Sequence, residues 1–456
     1  MKTRILSFEL PAGFIIKLFT FLSTCHLFSQ NPLIMDQFTA DPTARVFNGK
    51  LYVYPSHDIV PPEGEGRPEW FNMADYHVFS TENLTQWKDH GKILDQKDVP
   101  WADSEAYSMW APDAVERNDK YYFYFPTRTK GAGDGEGGFS IGVAVSNTPT
   151  GPFIPQRMPI EGVEGIDPNV LIDKTGQAYL YWSRGKIYGA KLKDNMLELA
   201  SKPKVFTELP QKGHIEGPFV FERKGTYYMT YPHVANQTER LEYATGDNPL
   251  GPFIHKGVIM DESSSGTWTN HHSVVNYKDQ WYLFYHDSEL SPDFDKNRSI
   301  RADSLFFKEN GNIKKVIPTH RGIGKSSAFK QIQFDRYSEK SEEGVHIEYL
   351  DQKDTFKGWK LVFTQPGAKV RYNRVEFGKE SPKAVKLRVN VSGDENAVIE
   401  IFDSSLSSVA KLQLDSTDGW EEISVPVQHQ FTGTKDLLIE VSGKGSIELD
   451  WIEFVK

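Results

Sequence analysis

Five times along this chain, a single acid or histidine is followed within about ten residues by a tight polar turn and then a run of aromatics. Asp41 leads to Asn48-Gly49 and Leu51-Tyr52-Val53-Tyr54, and Asp113 to Asn118-Asp119 and Tyr121-Tyr122-Phe123-Tyr124-Phe125. Asp167 leads to Thr175-Gly176 and Tyr179-Leu180-Tyr181-Trp182, Glu216 to Lys224-Gly225 and Tyr227-Tyr228-Met229, and His271 to Lys278-Asp279 and Trp281-Tyr282-Leu283-Phe284-Tyr285. Each unit reads as a hairpin: a strand bearing the polar residue, a turn of types that tolerate positive φ, and a second strand buried on both faces. Five such units arranged radially predict a five-bladed β-propeller, whose inner strands converge on one axis. Convergence would bring four carboxylates and one imidazole into a common pocket, and such a pocket predicts an enzyme.

The rest of the sequence supports an all-β reading. Aromatics make up 13 % of the chain, and Gly (36) and Pro (26) punctuate short apolar runs. Gly-Pro-Phe recurs at Gly151, Gly217 and Gly251, the first and third after similar segments, as equivalent outer strands of repeated blades would. The repeats fill residues 31–325. Over 326–456 the texture changes: Ala384–Val391, Ala397–Phe402, Trp420–Val427 and Leu437–Val441 alternate like half-buried strands, predicting a jelly-roll-like β-sandwich. With 52 Lys and Arg against 62 Asp and Glu and no basic stripe, a nucleic-acid or anionic-membrane partner is not expected. Beyond the first thirty residues no apolar run approaches the ~18 that a membrane span needs.

Residues 1–30 read as a signal peptide, with Lys2 and Arg4 before a mostly apolar stretch from Gly13 to Phe28. An exported protein, periplasmic or extracellular, is the expectation. Cys25, the single cysteine, lies inside this segment, which leaves no thiol for a disulfide, a zinc thiolate or a nucleophile. Leu22-Ser23-Thr24 before it is a poor lipid-attachment signal, so a lipid anchor is the lesser reading.

Three acids have distinctive settings: Thr39-Ala40-Asp41-Pro42, Gly165-Ile166-Asp167-Pro168-Asn169 and His214-Ile215-Glu216-Gly217-Pro218-Phe219. The Pro or Gly after each acid ends or bends its strand, and apolar neighbours such as Ile166 and Ile215 favour a carboxyl that keeps its proton near neutral pH. Paired carboxyls break glycosidic bonds: one protonates the leaving oxygen and the other activates water or attacks the sugar. The stretch 131–138 lacks the Gly-Lys-Ser/Thr of a phosphate loop and carries Asp134 and Glu136, so it reads, like 61–68, as a surface loop over the pocket.

Together with Trp110-Ala111-Pro112-Asp113, Asn270-His271-His272-Ser273 and Arg298-Ser299-Ile300, these motifs resemble glycoside hydrolase family 43, in order across the whole first domain. The resemblance implies an inverting mechanism with Asp41 as the general base and Glu216 as the general acid. Asp167 would orient Glu216 and keep its pKa high by like-charge repulsion. Trp110, Asp113, Trp268, His271 and Arg298 would bind substrate. It also implies that His271, at the pocket floor, contacts a structural calcium that is mostly hydrated, since calcium prefers oxygen ligands, and that no organic cofactor is needed. His272 is expected to pack inside its blade, and Arg301 to lie near Arg298 without reaching the pocket.

The chain's ending, Gly445 to Phe454, with Val370 to Phe377 and Gly419-Trp420, resembles carbohydrate-binding module family 6. That likeness implies a sugar sandwiched between Tyr372 and Trp420, with Glu448 where the family usually places an asparagine. The resulting expectation is an exo-glycosidase removing terminal α-L-arabinofuranosyl groups from arabinoxylan or arabinan, plant cell-wall polysaccharides, or their oligosaccharides. β-D-Xylosidase action is the main alternative; endo-arabinanase action and a non-catalytic glycan-binding propeller stand behind it.

Overall fold

The computed structural model describes residues 31–132, 138–393, 397–443 and 445–456; the signal-like segment with Cys25 and the loop acids Asp134 and Glu136 lie outside the described residues. Asn48 and Gly49 (φ 51° and 75°), Asn118 and Asp119 (53° and 58°), Lys224 and Gly225 (52° and 85°), and Lys278 and Asp279 (50° and 63°) all take the left-handed conformation. Two consecutive residues at positive φ make the turn that matches strand twist, so each pair closes a tight hairpin.

Those hairpins open four of five consecutive sheets. The first holds β1 (Thr39–Phe47), β2 (Lys50–His57), β3 (Asp75–Thr81) and β4 (Lys88–Asp95) in sequential order, and the second β5 (Asp113–Arg117), β6 (Lys120–Arg128), β7 (Phe139–Ser146) and β8 (Ile154–Pro155). The third holds β9 (Ile166–Ile172), β10 (Ala178–Ser183), β11 (Ile187–Lys191) and β12 (Lys204–Val205), entered through a longer turn. The fourth holds β13 (Phe219–Arg223), β14 (Thr226–Val234), β15 (Glu239–Gly246) and β16 (Ile254–Met260), and the fifth β17 (Ser273–Tyr277), β18 (Gln280–Asp287) and β19 (Ser299–Leu305). These are the five blades.

The aromatic runs fill the seams between blades. Tyr54 and Tyr76 of the first blade pack on Phe123 of the second, with centroids 5.9 and 4.9 Å apart. Equivalent apolar clusters join the second blade to the third, the third to the fourth, the fourth to the fifth and the fifth back to the first. The amino-terminal segment clasps the ring shut: Leu33 N–H donates to Ile300 O (2.9 Å), and the Asn31 amide donates to Ala302 O (3.0 Å) and Thr319 O (2.6 Å).

The remaining chain forms two packed six-stranded sheets. One contains β20 (Ser326–Ser327), β22 (Glu339–Lys340), β25 (Lys369–Glu376), β27 (Ala397–Phe402), β28 (Ser408–Leu414) and β30 (Thr434–Ser442). The other contains β21 (Ile332–Gln333), β23 (Val345–Tyr349), β24 (Trp359–Phe363), β26 (Ala384–Ser392), β29 (Glu421–Pro426) and β31 (Ser446–Val455). Their inner faces share one core built from the alternate residues of each strand. Arg321 reaches across to Asn373 O (3.2 Å), and Thr355 to Leu290 O (2.8 Å), fastening sandwich to propeller. No helix among the described residues is long and apolar enough to cross a membrane.

Candidate active site

Two of the three marked acids sit on ladder irregularities. Asp41 (φ 48°) lies where the β1–β2 register shifts between Ala40 and Thr43, and Asp167 (φ 56°) beside the β9–β10 shift between Tyr181 and Ser183. A bulge turns a side chain off the alternation of its strand, and the strained backbone marks a position held for function. Asp41, Asp167, Glu216, Trp110, Trp268, His271 and Arg298 all line one cavity of about 270 Å³ at the end of the inner strands. Arg67, Trp70, Phe71, Phe139, His214 and Asn270 complete its wall, so the loop 61–70 does contribute to the pocket. A larger groove of about 850 Å³ between the first and fifth blades and the sandwich contains none of the marked acids; chemistry, not size, identifies the site.

Asp41 is 5 % exposed. Its Oδ1 accepts from Arg298 Nη1 at 3.0 Å, its Oδ2 from the Ser56 hydroxyl, and its N–H donates to His286 Nδ1 at 3.0 Å. Burial opposes its charge, but the Arg298 guanidinium, helped by the Ser56 hydroxyl, outweighs burial and holds the carboxyl at about 2. Arg298 is fixed in turn by Asp58, which accepts its Nε and Nη2 (both 2.9 Å) and its backbone N–H (2.8 Å), and it lies over the Phe71 ring. The guanidinium expected to bind substrate thus chiefly holds the carboxylate pair Asp41 and Asp58. His286 is neutral, its pKa pushed down to about 3 by burial and then by Arg298.

Glu216 opens on the same cavity and lies against Glu239, a fully buried carboxyl that the sequence motifs do not mark. Glu239 Oε2 accepts from Asn270 N–H at 2.6 Å, and its carboxyl lies within hydrogen-bond reach of Glu216. Two buried carboxyls in contact cannot both ionise, so the pair holds one proton. Burial and the Glu216 charge push Glu239 well above the carboxylate range. Burial raises Glu216 as well, but His214, 2.8 Å from its Oε2, leads the contacts that bring it below its ordinary value. This corrects the expectation that Asp167 keeps Glu216 high: the like-charge partner is Glu239. Asp167 acts on Glu216 through the backbone, its Oδ2 accepting from the N–H of Gly217 at 3.0 Å.

His271 lines the floor, its pKa lowered by burial against the pull of Asp41 and Glu216. Among the described residues it belongs to neither of the two groups in which three imidazole or carboxylate ligand atoms converge. Asn270 beside it is 1 % exposed, and both its amide atoms lack a partner in the protein, placing a donor and an acceptor at the cavity wall. Trp268, 42 % exposed, forms the rim, and Trp110 packs on Phe139 at 4.6 Å.

Asp113 does not reach the cavity. It pairs straight across the ladder with Tyr124, without a bulge, and its buried carboxylate accepts from Arg45 Nε (2.9 Å), Asn169 Nδ2 (3.1 Å) and the Val170 N–H (2.6 Å). These bonds tie three blades together. His272 is buried against Thr230, and Arg301 is buried with Asp287 and Glu289 outside the pocket.

The expected sugar platform of the sandwich is not formed. Tyr372 is 1 % exposed, lies in the sandwich core and donates its hydroxyl to Phe334 O (2.5 Å), so neither ring face meets solvent. Trp420 precedes a strand of the other sheet, half-buried, with the Arg388 guanidinium 4.9 Å from its ring. Glu448 is engaged by Lys360 Nζ (2.6 Å) and Asn390 Nδ2 (3.0 Å).

The family model of glycosyl hydrolases family 43 matches residues 29–313, and that of carbohydrate binding module (family 6) matches residues 337–456. "Xylosidase/arabinosidase 43A" of Humicola insolens is 37 % identical over 62 % of this chain and 98 % of its own length. The crystal structure of CoXyl43, titled a GH43 β-xylosidase/α-arabinofuranosidase from a compost microbial metagenome, covers 64 % of this chain and 98 % of its own at 35 % identity and a TM-score of 0.56. "Arabinoxylan arabinofuranohydrolase" of Paenibacillus polymyxa is 25 % identical over 92 % of this chain and 72 % of its own, a span that includes the sandwich.

Proposed function

The chain belongs to glycosyl hydrolases family 43, a glycoside hydrolase with relatives named xylosidase/arabinosidase, and on that premise we propose that it removes single terminal α-L-arabinofuranosyl groups from arabinoxylan or arabinan with inversion. One observation carries the reading: a single small cavity presents Asp41 held charged and, in Glu216, the open member of a carboxyl pair that retains a proton. Asp41 takes a proton from a water molecule as its oxygen attacks the anomeric carbon. Glu216 gives a proton to the glycosidic oxygen as the carbon–oxygen bond breaks, and Glu239 or solvent restores it. Arg298 keeps Asp41 ionised until water attacks, and Asn270 and His271 are within reach of sugar hydroxyls.

A cavity of about 270 Å³ lies at the small end of ligand sites, which run ~300–1,000 Å³, and this favours one sugar ring over a threaded polymer. The likeness to an arabinoxylan arabinofuranohydrolase over 92 % of this chain, sandwich included, supports the arabinosyl preference. β-D-Xylosyl groups are the second reading, favoured by the dual names of the more similar relatives. The test is release of sugar from aryl α-L-arabinofuranoside and aryl β-D-xyloside, with NMR of the first-formed anomer. Turnover of neither glycoside, with polysaccharide binding retained, would replace the hydrolase reading by a glycan-binding one, and a product of retained configuration would remove the water-activating role of Asp41.

A further inference from the structure

The outer part of the first blade gathers a second set of ligand-type side chains away from the cavity. The antiparallel register that pairs Ser56 with Tyr76 sets His57, the last residue of β2, beside Asp75 of β3, and His77 follows two residues on, hence on the same face. One ligand atom from each of His57, Asp75 and His77 lies within 4.8 Å of the others. His57 Nδ1 stands 2.7 Å and His77 Nε2 4.0 Å from the same oxygen, Asp75 Oδ1. Ligand atoms around a tetrahedral ion with bonds of about 2.0–2.1 Å lie ~3.3 Å apart, so rotations that move atoms by less than ~1 Å would close the site.

The surroundings already orient the imidazole. His77 Nδ1 is 3.2 Å from Asp89 Oδ2, and Asp89 is itself held by the Gly91 N–H (2.7 Å) and the Gln37 amide (3.3 Å). With its Nδ1–H turned to Asp89, His77 presents the Nε2 lone pair toward Asp75, the carboxylate–imidazole arrangement that supports metal ligands. Acids outnumber cations here: Asp75, Asp89 and Asp95 face Lys92, which is already paired with Asp95. The three ligand side chains are 18–20 % exposed, enough for water to supply a fourth ligand.

We propose that His57, Asp75 and His77 bind one divalent transition-metal ion of the zinc class, completed by water. Two imidazole nitrogens and one carboxylate suit zinc, nickel or copper(II), whereas calcium and magnesium demand oxygen. His57 immediately precedes Asp58, the clamp of Arg298, so an ion here pins the end of β2 one peptide away from the active site.

The test uses the full chain, stripped with a chelator and titrated with cobalt(II) chloride and then zinc chloride. Cobalt should give the intense visible bands of a four-coordinate nitrogen/oxygen site at one ion per chain, and zinc should displace it. Zinc but not calcium should raise the thermal midpoint by about 3–5 °C at ~100-fold excess over Kd. His57→Gln and His77→Gln should each abolish the bands and the shift while hydrolysing an aryl glycoside at the wild-type rate. Failure of the wild-type chain to bind cobalt, or bands that survive in both variants, overturns the assignment. So does an ion lost only in His214→Gln, which would belong to the His214, Glu216 and Glu239 cluster instead.

Discussion

Replacing Glu239 by glutamine removes the proton that the buried carboxyl pair shares while keeping the shape of the side chain. The amide oxygen can still accept from Asn270 N–H, now at 2.6 Å, but the amide beside Glu216 has only N–H groups to donate and no acid proton to share, which favours the ionised form of Glu216. Glu216, already held below its ordinary value by His214, then loses the carboxyl with which it shares a proton. Turnover of an oligosaccharide should therefore fall by about 10²-fold, the lower end of what general-acid catalysis contributes. The diagnostic assay compares a dinitrophenyl glycoside, whose leaving group departs without a proton, with an oligosaccharide across a pH series. The variant should nearly keep its rate on the first, lose it on the second, and shift its alkaline limb to lower pH. Equal losses on both substrates, or an unchanged alkaline limb, would refute the shared-proton reasoning.

Asp41→Asn should lower turnover by orders of magnitude while the fold survives, because Asp58 still pairs with Arg298; near-normal rates would remove Asp41 from catalysis. Asp113→Asn should leave KM for aryl glycosides unchanged but destabilise the propeller by ~3 kcal/mol, since it leaves the part-buried Arg45 without its anionic partner; chemical denaturation together with KM separates this from a substrate contact. Asp303 is raised from 3.8 to about 6, burial outweighing its bonds to Thr319 and Tyr285. A raised folded-state pKa contributes stability that is complete below 3.8 and lost as pH rises through about 6, a span worth on the order of 3 kcal/mol. Thermal midpoints should accordingly respond to pH over that window, and Asp303→Asn should flatten the response; an identical dependence in the variant would assign it to other groups.

Blade boundaries could be read because their signals are local. An Asn-Gly or Lys-Asp pair decides its own turn, and the aromatic run after it decides which strand is buried twice. The acids followed by proline were legible for the same reason, since the bulge is written into adjacent residues. Asp113 shares the fivefold position but lacks a bulge, so its side chain follows the ladder into a neighbouring blade. Tyr372 alternates with Val370 and therefore faces inward, a period-two signal that the aromatic identity of the residue obscured. Glu239, Asp58 and His286 carry no local mark: Asp58 meets Arg298 across 240 positions and His286 meets Asp41 across 245. Closure of the ring brings Asp58 and His286 to their partners, whereas Glu239 meets Glu216 inside the fourth blade, through the folding of that sheet.

The clasp at Asn31 spans 288 positions to Thr319. A ribosome thus delivers the socket for this amide only after every blade has emerged, and the entropic toll of joining such distant segments falls on the final step of folding. A polypeptide cut short before the fifth blade would leave the apolar flank of the first blade facing water, a surface ready to associate with another copy.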